Sequence, residues 1–323
     1  MLKQIDKIFL KIVVIVVFIT VTPAFAVLSC SVTTAAGCTD TIVLRMSSST
    51  NAHAELPWQS TSGYSNNVIC CNGINSISCT AGFAATVLKL SSSTNAHVEI
   101  NTNTNYSTSS CISSVSGLAT IGYQDNNCSG FDTTLASISG DTNASMGTST
   151  VYTKKVCGTV APPSLTFMIS TSSVFLGQAS PAYPRFASST NQNGSDFEVQ
   201  AHTFLVLTTA SNGYVVTVRG ATLTAGTSTI SAIGATNTAP ATGTSQFGVR
   251  MTASGGVGSV TSPYAASGFA YAATATTSSQ VASASTGDNA TTTFSVRYVA
   301  NIAPTTPADS YTANIVFVAT ANF

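Results

Sequence analysis

Apolar and polar residues alternate along much of the second half of the chain, which is the pattern of strands with one buried face. A Ser-Asn-Gly turn between Thr203–Thr209 and Tyr214–Val218 predicts a hairpin. About eight such strands without an amphipathic helix predict that residues 165–323 form an immunoglobulin-like or jelly-roll β-sandwich. The clearest alternating positions are Phe247, Val249 and Met251, then Phe294, Val296 and Tyr298, then Tyr311, Ala313, Ile315 and Phe317.

The first half contains one pattern three times, at intervals of 44 and 47 residues: Leu44–Glu55, Leu88–Glu99 and Leu135–Met146. A fixed period indicates one small unit whose copies bury their apolar faces against one another. Residues 27–158 are therefore predicted to form a three-repeat β module, either trefoil-like with pseudo-threefold symmetry or a small sandwich. Each copy is expected to have a Ser/Thr/Asn turn, a short strand after Thr-Asn-Ala and a strand before a cysteine. The leading strands of the three copies are predicted at Thr41–Met46, Ala85–Leu90 and Thr134–Ile138, respectively.

Two segments are expected to lie outside these domains. The Pro162-Pro163 pair follows the last cysteine, so residues 159–164 are predicted to be a linker. Residues 1–26 combine early lysines, an apolar run and a small-x-small site at Ala24–Ala26, which predicts a secretory signal peptide. An N-terminal anchor helix is one alternative. Another is a lipoprotein in which Cys30, after Val27-Leu28-Ser29, becomes lipidated.

Composition restricts the possible partners. Charged residues make up 7% of the chain, against about 25% in typical proteins, and no basic patch is present to neutralise phosphate. Nucleic acid is therefore excluded as a partner. Abundant Thr, Val, Ile, Tyr and Phe favour strands. The regular alternation argues against a disordered Ser/Thr stalk. After removal of the signal no transmembrane segment is expected.

All eight cysteines lie between Cys30 and Cys157. An even number on a chain predicted to be exported indicates disulfides. Two equal spacings suggest the pairs Cys30–Cys38 and Cys71–Cys79. The equivalent place before the third copy suggests Cys111–Cys128, which leaves Cys70–Cys157. A zinc site is the rival interpretation, but the chain has no C-x-x-C pair.

Two His-x-Glu pairs are the candidate metal ligands: His53, Glu55, His97 and Glu99. On a strand, residues i and i+2 lie on one face about 7 Å apart, so two neighbouring pairs could supply four ligands to one ion.

A structural role is the favoured interpretation of these pairs, and no cofactor is expected. In that role the histidine donates to a backbone carbonyl, while the glutamate caps a turn or pairs with Arg45 or Lys89. The third copy has Ser145 and Gly147 at the two positions, so a threefold site would be incomplete.

Ligand-binding candidates are Asn51, Asn95 and Trp58. The asparagines belong to the repeated Thr-Asn-Ala step, where asparagine can adopt left-handed backbone geometry; the alternative is a repeated polar site for sugar hydroxyls. Trp58 could stack on a sugar ring, although packing in a core is the favoured interpretation of a lone tryptophan.

Catalysis is not expected. Nucleophilic hydrolysis needs a nucleophile, a base and an orienting group, and the chain has no Gly-x-Ser-x-Gly elbow. In the second domain His202 lies inside a predicted strand, and Asp196 and Glu198 are the only close carboxylate pair.

With these motifs in view, residues 30–158 resemble exported proteins of candidate-phylum, ultra-small bacteria. These carry SxSTNAHxE blocks, paired cysteines and a GFDTTLAS segment, here Gly130–Ser137. The resemblance implies a secreted or cell-surface role without an assigned activity. The Gly213–Val218 strand is similar to that of bacterial surface β-sandwich domains of the WxL kind, although the Trp-x-Leu signature is absent.

The sequence therefore predicts an all-β, disulfide-rich, secreted or cell-surface protein with a structural or adhesive, non-catalytic function. Expected partners are further copies of the chain or other envelope proteins, with exposed strand edges as the route of assembly. A carbohydrate- or host-binding module is the first alternative. A secreted metal-assisted hydrolase is the second.

Overall fold

The computed structural model describes residues 5–14, 27–77, 79, 84–114, 117–265, 267–287 and 290–322. These residues form strands, turns and two short 3₁₀ helices, Ala35–Gly37 and Ser62–Tyr64, with no α-helix among them. The predicted all-β fold is therefore confirmed. No helix in the described ranges is long and apolar enough to cross a membrane. The predicted cleavage site at Ala24–Ala26 lies outside the described residues.

The chain divides between Pro163 and Ser164 into two compact units. The first strand, β1 (Ile5–Val14), belongs to the C-terminal unit. The N-terminal unit, called the repeat module here, has three antiparallel sheets of four strands. Its strands are β2 (Cys30–Thr33), β3 (Thr41–Met46), β4 (Ala54–Glu55), β5 (Val68–Cys71), β6 (Ile74–Ile77), β7 (Ala85–Leu90), β8 (Val98–Glu99), β9 (Thr108–Ser114), β10 (Leu118–Asp125), β11 (Thr133–Ile138), β12 (Met146–Gly147) and β13 (Lys154–Ala161).

The three sheets have one topology, with orders β2-β5-β3-β4, β6-β9-β7-β8 and β10-β13-β11-β12. The predicted leading strands β3 and β7 have the predicted bounds, and β11 begins one residue earlier. The opening strands β2, β6 and β10 were not predicted. Strand β13 continues to Ala161, so the first half of the predicted 159–164 linker is the end of a strand.

The short strands β4, β8 and β12 join the three copies into a closed ring. Each pair of copies exchanges two backbone hydrogen bonds of 2.8–2.9 Å. Because the third copy pairs back to the first, the arrangement is pseudo-threefold. Six residues form these bridges, and all six are buried. Four of them are alanines, whose small side chains allow three strands to converge. The bridges are Ala54 to Ala96, Val98 to Ala144, and Met146 to Ala52.

Four disulfides form, as predicted, but every predicted pairing is wrong. Each copy instead has one equivalent bond, from the cysteine before its leading strand to one in its closing strand. Cys70 and Cys71 are neighbours on β5, so their side chains leave opposite faces and reach different partners. The bonds are Cys38–Cys70, Cys79–Cys111 and Cys128–Cys157, with a fourth, Cys30–Cys71, between the paired strands β2 and β5.

The C-terminal unit is a β-sandwich. Its strands are β1 together with β14 (Leu165–Ile169), β15 (Ser173–Ala179), β16 (Arg185–Phe186), β17 (His202–Thr208), β18 (Tyr214–Arg219), β19 (Thr224–Ala225), β20 (Ser228–Thr229), β21 (Gly234–Thr238), β22 (Gln246–Ser254), β23 (Ser259–Val260), β24 (Phe269–Tyr271), β25 (Ser279–Ala284), β26 (Thr292–Asn301) and β27 (Ser310–Ala321). One sheet has the order β15-β1-β27-β18-β25-β23, with β19 and β20 at its side. The other has the order β14-β17-β26-β22-β24-β21, and β16 pairs with β26.

The buried faces of β22, β26 and β27 are those that the alternation predicted. The predicted hairpin is wrong, because β17 and β18 belong to opposite sheets. The chain turns at Gly213 (φ 72°), whose amide donates to Ala210. A Cβ at Gly213 would lie 2.1 Å from the Ala284 carbonyl oxygen, so glycine is needed for this crossing between the sheets.

Candidate binding face of the repeat module

The three Ser/Thr/Asn loops have one backbone design. Asn51, Asn95 and Asn143 have φ values of 47°, 48° and 46°, the left-handed geometry that asparagine tolerates in turns. The predicted structural role of Asn51 and Asn95 is therefore present. A serine closes each loop: Ser47 donates its amide to the His53 carbonyl and accepts the His53 amide on its hydroxyl, both at 3.0 Å. Ser91 and Ser139 repeat this closure with His97 and Ser145.

Each loop is also fastened to the preceding copy. Backbone amides donate to loop carbonyls from Leu56 to Ser93, from Ile100 to Asp141 and from Thr148 to Ser49, at 3.0–3.1 Å. Tyrosine hydroxyls add two bonds, from Tyr64 to Asn95 Oδ1 (2.9 Å) and from Tyr106 to Asn143 Oδ1 (3.2 Å). We call residues 47–51, 91–95 and 139–143 together the loop face. Its backbone is held by bonds that run around the ring, so its hydroxyl and amide groups are presented on a fixed frame.

The two repeat histidines lie together at this face. Their ring centroids are 4.6 Å apart with planes tilted by 58°. His53 Nδ1 lies 2.6 Å from Asn95 Oδ1, which also accepts the Tyr64 hydroxyl. His97 Nδ1 is buried without a hydrogen-bond partner among the described residues. The pair thus joins the first two copies through side chains, a contact that the third copy lacks because Ser145 replaces histidine.

The two repeat glutamates differ although both are fully buried. Glu99 caps a turn, as the structural interpretation expected: Oε1 accepts the Tyr106 amide and Oε2 the Asn105 side-chain amide, both at 2.8 Å. Neither oxygen of Glu55 has a hydrogen-bond partner in the described part of the chain. The loop between Glu55 and Tyr64 is two residues longer than the loop between Glu99 and Tyr106 in the second copy. The Tyr64 amide donates to the Thr61 carbonyl and not to the glutamate. Burial, and then the negative charge of Glu55, raise the pKa of Tyr64.

One cation per copy braces the same loop. Arg45 Nε donates to the Pro57 carbonyl at 3.0 Å, and Lys89 Nζ donates to the Asn103 carbonyl. In the third copy Ser137 replaces this cation, and Lys155, its cross-strand partner, donates to the Ser149 carbonyl at 2.8 Å. The basic side chains therefore satisfy backbone carbonyls, and the predicted pairing of Arg45 or Lys89 with glutamate has no counterpart among the recorded ion pairs.

The geometry does not support the four-ligand metal site of His53, Glu55, His97 and Glu99. Within the described ranges no three His, Cys, Asp or Glu side chains gather as metal ligands. Glu99 is occupied by its turn, and His53 by Asn95.

Trp58 is 62% exposed, so the favoured expectation that it packs in a core is wrong. It lies in a turn closed by the hydrogen bond from the Gln59 amide to Leu56, whose own amide binds Ser93 of the second loop. The turn that carries Trp58 is thereby hydrogen-bonded to the loop face through its backbone. The indole is therefore accessible, as the alternative stacking role of Trp58 requires.

The charged groups of the sandwich make local structural contacts. The nearby carboxylates predicted from sequence are both paired, Asp196 with Arg185 and Glu198 with Arg250 at 2.5 Å. The Arg185 and Asp196 side chains line an open, mainly polar depression of about 610 Å³. No sequence signal indicated it, because apart from Arg185 of β16 its lining comes from the irregular loop between β16 and β17.

His202 is buried between aromatic rings. Its Nε2 lies 2.9 Å from the Tyr298 hydroxyl, and the rings of Tyr298 and Phe317 pack on it. Burial lowers the pKa of His202 from 6.5 to about 4, so the neutral imidazole is the native form at neutral pH. Burial also raises the pKa of Tyr298 well above its usual value.

These features define the chain as an all-β protein in which a disulfide-bonded, pseudo-threefold repeat module precedes a β-sandwich. Comparisons with protein-family models, with curated proteins and with solved structures found no match.

Proposed function

We propose that this protein is secreted or held at the cell surface, where it has a structural or adhesive function and no catalytic one. The observation that carries the proposal is the repeat module itself, a closed ring with a disulfide in every copy. Stable disulfides belong to oxidising compartments. The ring gives a body whose exposed loops carry mainly hydroxyl and amide groups, with Asp141, which is paired with Lys154, as the charged residue of the loop face.

The side chains that suggested chemistry support this function because they hold the fold. Glu99 caps a turn, Arg45 and Lys89 brace loops, and His202 packs between aromatic rings. A surface protein of this kind acts through contact, and the loop face is the region of the module best suited to it.

The test is the fate of the full chain in an export-competent bacterium. We expect it outside the cytoplasm or on the surface, accessible to added protease. Its intact mass should match a chain that begins at Val27. The oxidised protein should be lighter than the reduced protein by the mass of eight hydrogens. A chain lacking residues 1–26 is the matched control and should stay inside with reduced cysteines. Retention of the full chain in the cytoplasm with free thiols would overturn the proposal. Acylation at Cys30 would indicate a lipid anchor and would exclude the Cys30–Cys71 bond.

Carbohydrate binding by the loop face is a second candidate function, favoured by the exposure of Trp58 beside the second loop. Aromatic faces stack on apolar faces of sugar rings, while hydroxyl and amide groups orient the ring by hydrogen bonds.

Glycan retention tests this candidate. Trp58→Ala should reduce retention at least tenfold if the indole is a stacking platform. Phe197→Ala removes an aromatic residue that is 79% exposed on the other unit, and serves as the matched control. Equal retention by wild type, Trp58→Ala and Phe197→Ala would exclude the candidate.

A further inference from the structure

One position in the sandwich is filled by a strand that the sequence predicts to be removed. In the larger sheet β1 lies between β15 and β27, and it alone links β15 to the rest of that sheet in the described part of the chain. β1 pairs with β27 over eight consecutive positions, from Lys7 with Ser310 to Val14 with Phe317. Residues 5–14 nevertheless lie inside the predicted signal peptide, residues 1–26.

The register shows what this position requires. Four apolar positions of β1 stand opposite buried residues of β27, while the positions between them stand opposite exposed or half-buried ones. On the other side Leu10 stands opposite Val174, which is also buried. Register partners share a face of a sheet, so every second position of the inserted strand belongs to the core face. The matched positions are Ile8 with Tyr311, Leu10 with Ala313, Ile12 with Ile315, and Val14 with Phe317.

The direction of β1 sets it apart from its neighbours. It runs parallel to β27, whereas the other recorded pairs of named strands in the sandwich are antiparallel. Removal of β1 would leave two unpaired strand edges, on β15 and β27, beside buried aromatic and aliphatic residues. Unpaired edges accept another strand through main-chain hydrogen bonds, and alternate side-chain positions give specificity.

We propose that the position between β15 and β27 is a receptor slot, filled in the exported protein by an extended segment of a different exported polypeptide. The segment runs parallel to β27 and antiparallel to β15 for about eight residues. The positions that stand opposite buried residues of β27 are apolar, as Ile8, Leu10, Ile12 and Val14 are in β1. The inference rests on the proposed export, since it is export that removes β1, and it specifies the partner class for the proposed structural function.

A different polypeptide is the occupant because a second copy of the chain offers no suitable segment outside its own strands among the described residues. Among the described residues after position 26, no eight-residue stretch outside the strands has apolar residues at four alternate positions. The exposed Phe197 and Val199 come nearest, but Glu198 between them is tied to Arg250 and Arg297.

The experiment uses the protein purified after export and a synthetic peptide of residues 5–14 as the probe. The disrupting control peptide carries Leu10→Asp and Ile12→Asp, opposite Ala313 and Ile315. The matched control carries Phe9→Ser and Val13→Ser, opposite Thr312 and Val316. At a hundredfold excess over its Kd, the native peptide is expected to raise the unfolding midpoint by roughly 5–10 °C. Backbone hydrogen exchange in 173–179 and 310–317 should slow by roughly tenfold.

The native and matched peptides should bind, and the Asp peptide should not. If the exported protein is poorly folded alone, its refolding yield should rise with the native peptide and not with the Asp peptide. The proposal would be overturned if the exported protein is folded, its 173–179 and 310–317 amides exchange slowly without peptide, and it does not bind the native peptide. Discovery of residues 1–26 still attached after export would also overturn it, because the slot is then filled within the chain.

These outcomes are distinct from failure of the proposed function. A cytoplasmic protein with free thiols contradicts export itself. An exported, fully oxidised protein that does not bind the peptide contradicts only the slot.

Discussion

The two units of the molecule are stabilised by different means. The repeat module contains every cysteine of the chain, and its copies are joined by main-chain bonds between strands of small residues. The sandwich has no cysteine and relies on a core of large aromatic residues, in which the Phe204 and Phe294 rings stack at 4.8 Å. Both units bury apolar surface, but the repeat module alone adds cross-links that limit its unfolded state. Treatments that weaken one should leave the other intact.

Reduction of the disulfides should separate the two units most clearly. Each bond is worth about 2–4 kcal/mol, and four together approach the whole stability of an ordinary domain. After reduction, hydrogen exchange measured by mass spectrometry should accelerate in peptides from 27–163 and stay unchanged in peptides from 165–322. Equal acceleration in both sets of peptides would contradict the comparison.

Phe294→Ala should give the reverse result. The side chain is fully buried against Phe204, so its truncation should lower the free energy of unfolding of the sandwich by about 3–5 kcal/mol. Urea unfolding with exchange as the readout checks this. The exposed Phe197→Ala is the control, with an expected change within about 0.5 kcal/mol. An equal decrease in the free energy of unfolding of the repeat module would show that the two units do not unfold separately.

The sandwich should also lose stability in acid through His202. Its native pKa, about 4, is below the unfolded value of 6.5, so the unfolded state binds more protons between these pH values. The contribution is fully present above pH 6.5, decreases as the pH falls, and is gone near pH 4. It amounts to about 3 kcal/mol.

Denaturant titrations of the sandwich at several pH values test this. His202→Gln keeps a partner for Tyr298 and should flatten the dependence between pH 6.5 and 4. His53→Gln, in the other unit, should not. An unchanged slope in His202→Gln would refute the assignment.

The smallest expected effect compares two copies within the module. Glu99→Gln gives up carboxylate acceptors of two hydrogen bonds and should cost about 1–3 kcal/mol. Glu55→Gln replaces a buried carboxyl group that has no hydrogen-bond partner among the described residues, and it should be neutral or stabilising. Urea unfolding with the disulfides intact measures both. A larger loss of unfolding free energy in Glu55→Gln than in Glu99→Gln would contradict the comparison, because it would mean that the Glu55 carboxyl makes a stabilising contact.

The leading strands of the repeats were predictable because the three copies share the same local sequence pattern, whereas the opening strands β2, β6 and β10 lie outside that pattern. The left-handed asparagines followed from local chemistry for the same reason. Sequence spacing failed for the disulfides because it ignores strand pairing: Cys30 faces Cys71 across a sheet, although Cys38 is nearer along the chain. Trp58 lies in the loop between Glu55 and Tyr64, which is longer than its counterparts in the other copies, so comparison of the copies did not indicate its exposure.

The sandwich was harder to predict where tertiary context decides. A Ser-Asn-Gly turn favours a hairpin locally, yet β17 and β18 belong to different sheets because each has long pairs elsewhere, with β26 and β27. Residues 5–14 have the composition of a leader, and nothing in their own sequence indicates a register with β27. The candidate chemistry of His53 and Glu55 likewise depended on neighbours in another copy.

Closure of the ring limits how the module can vary. An open array of repeats can be lengthened at either end, but a ring with three equivalent joints cannot gain or lose a copy without opening. Its joints use main-chain atoms, so Ser145 and Gly147 can replace the histidine and glutamate without breaking a joint. Variation in length is therefore confined to the outer loops, and the longest of these presents Trp58. The number of copies is fixed by geometry, while the surface around them is free to diversify.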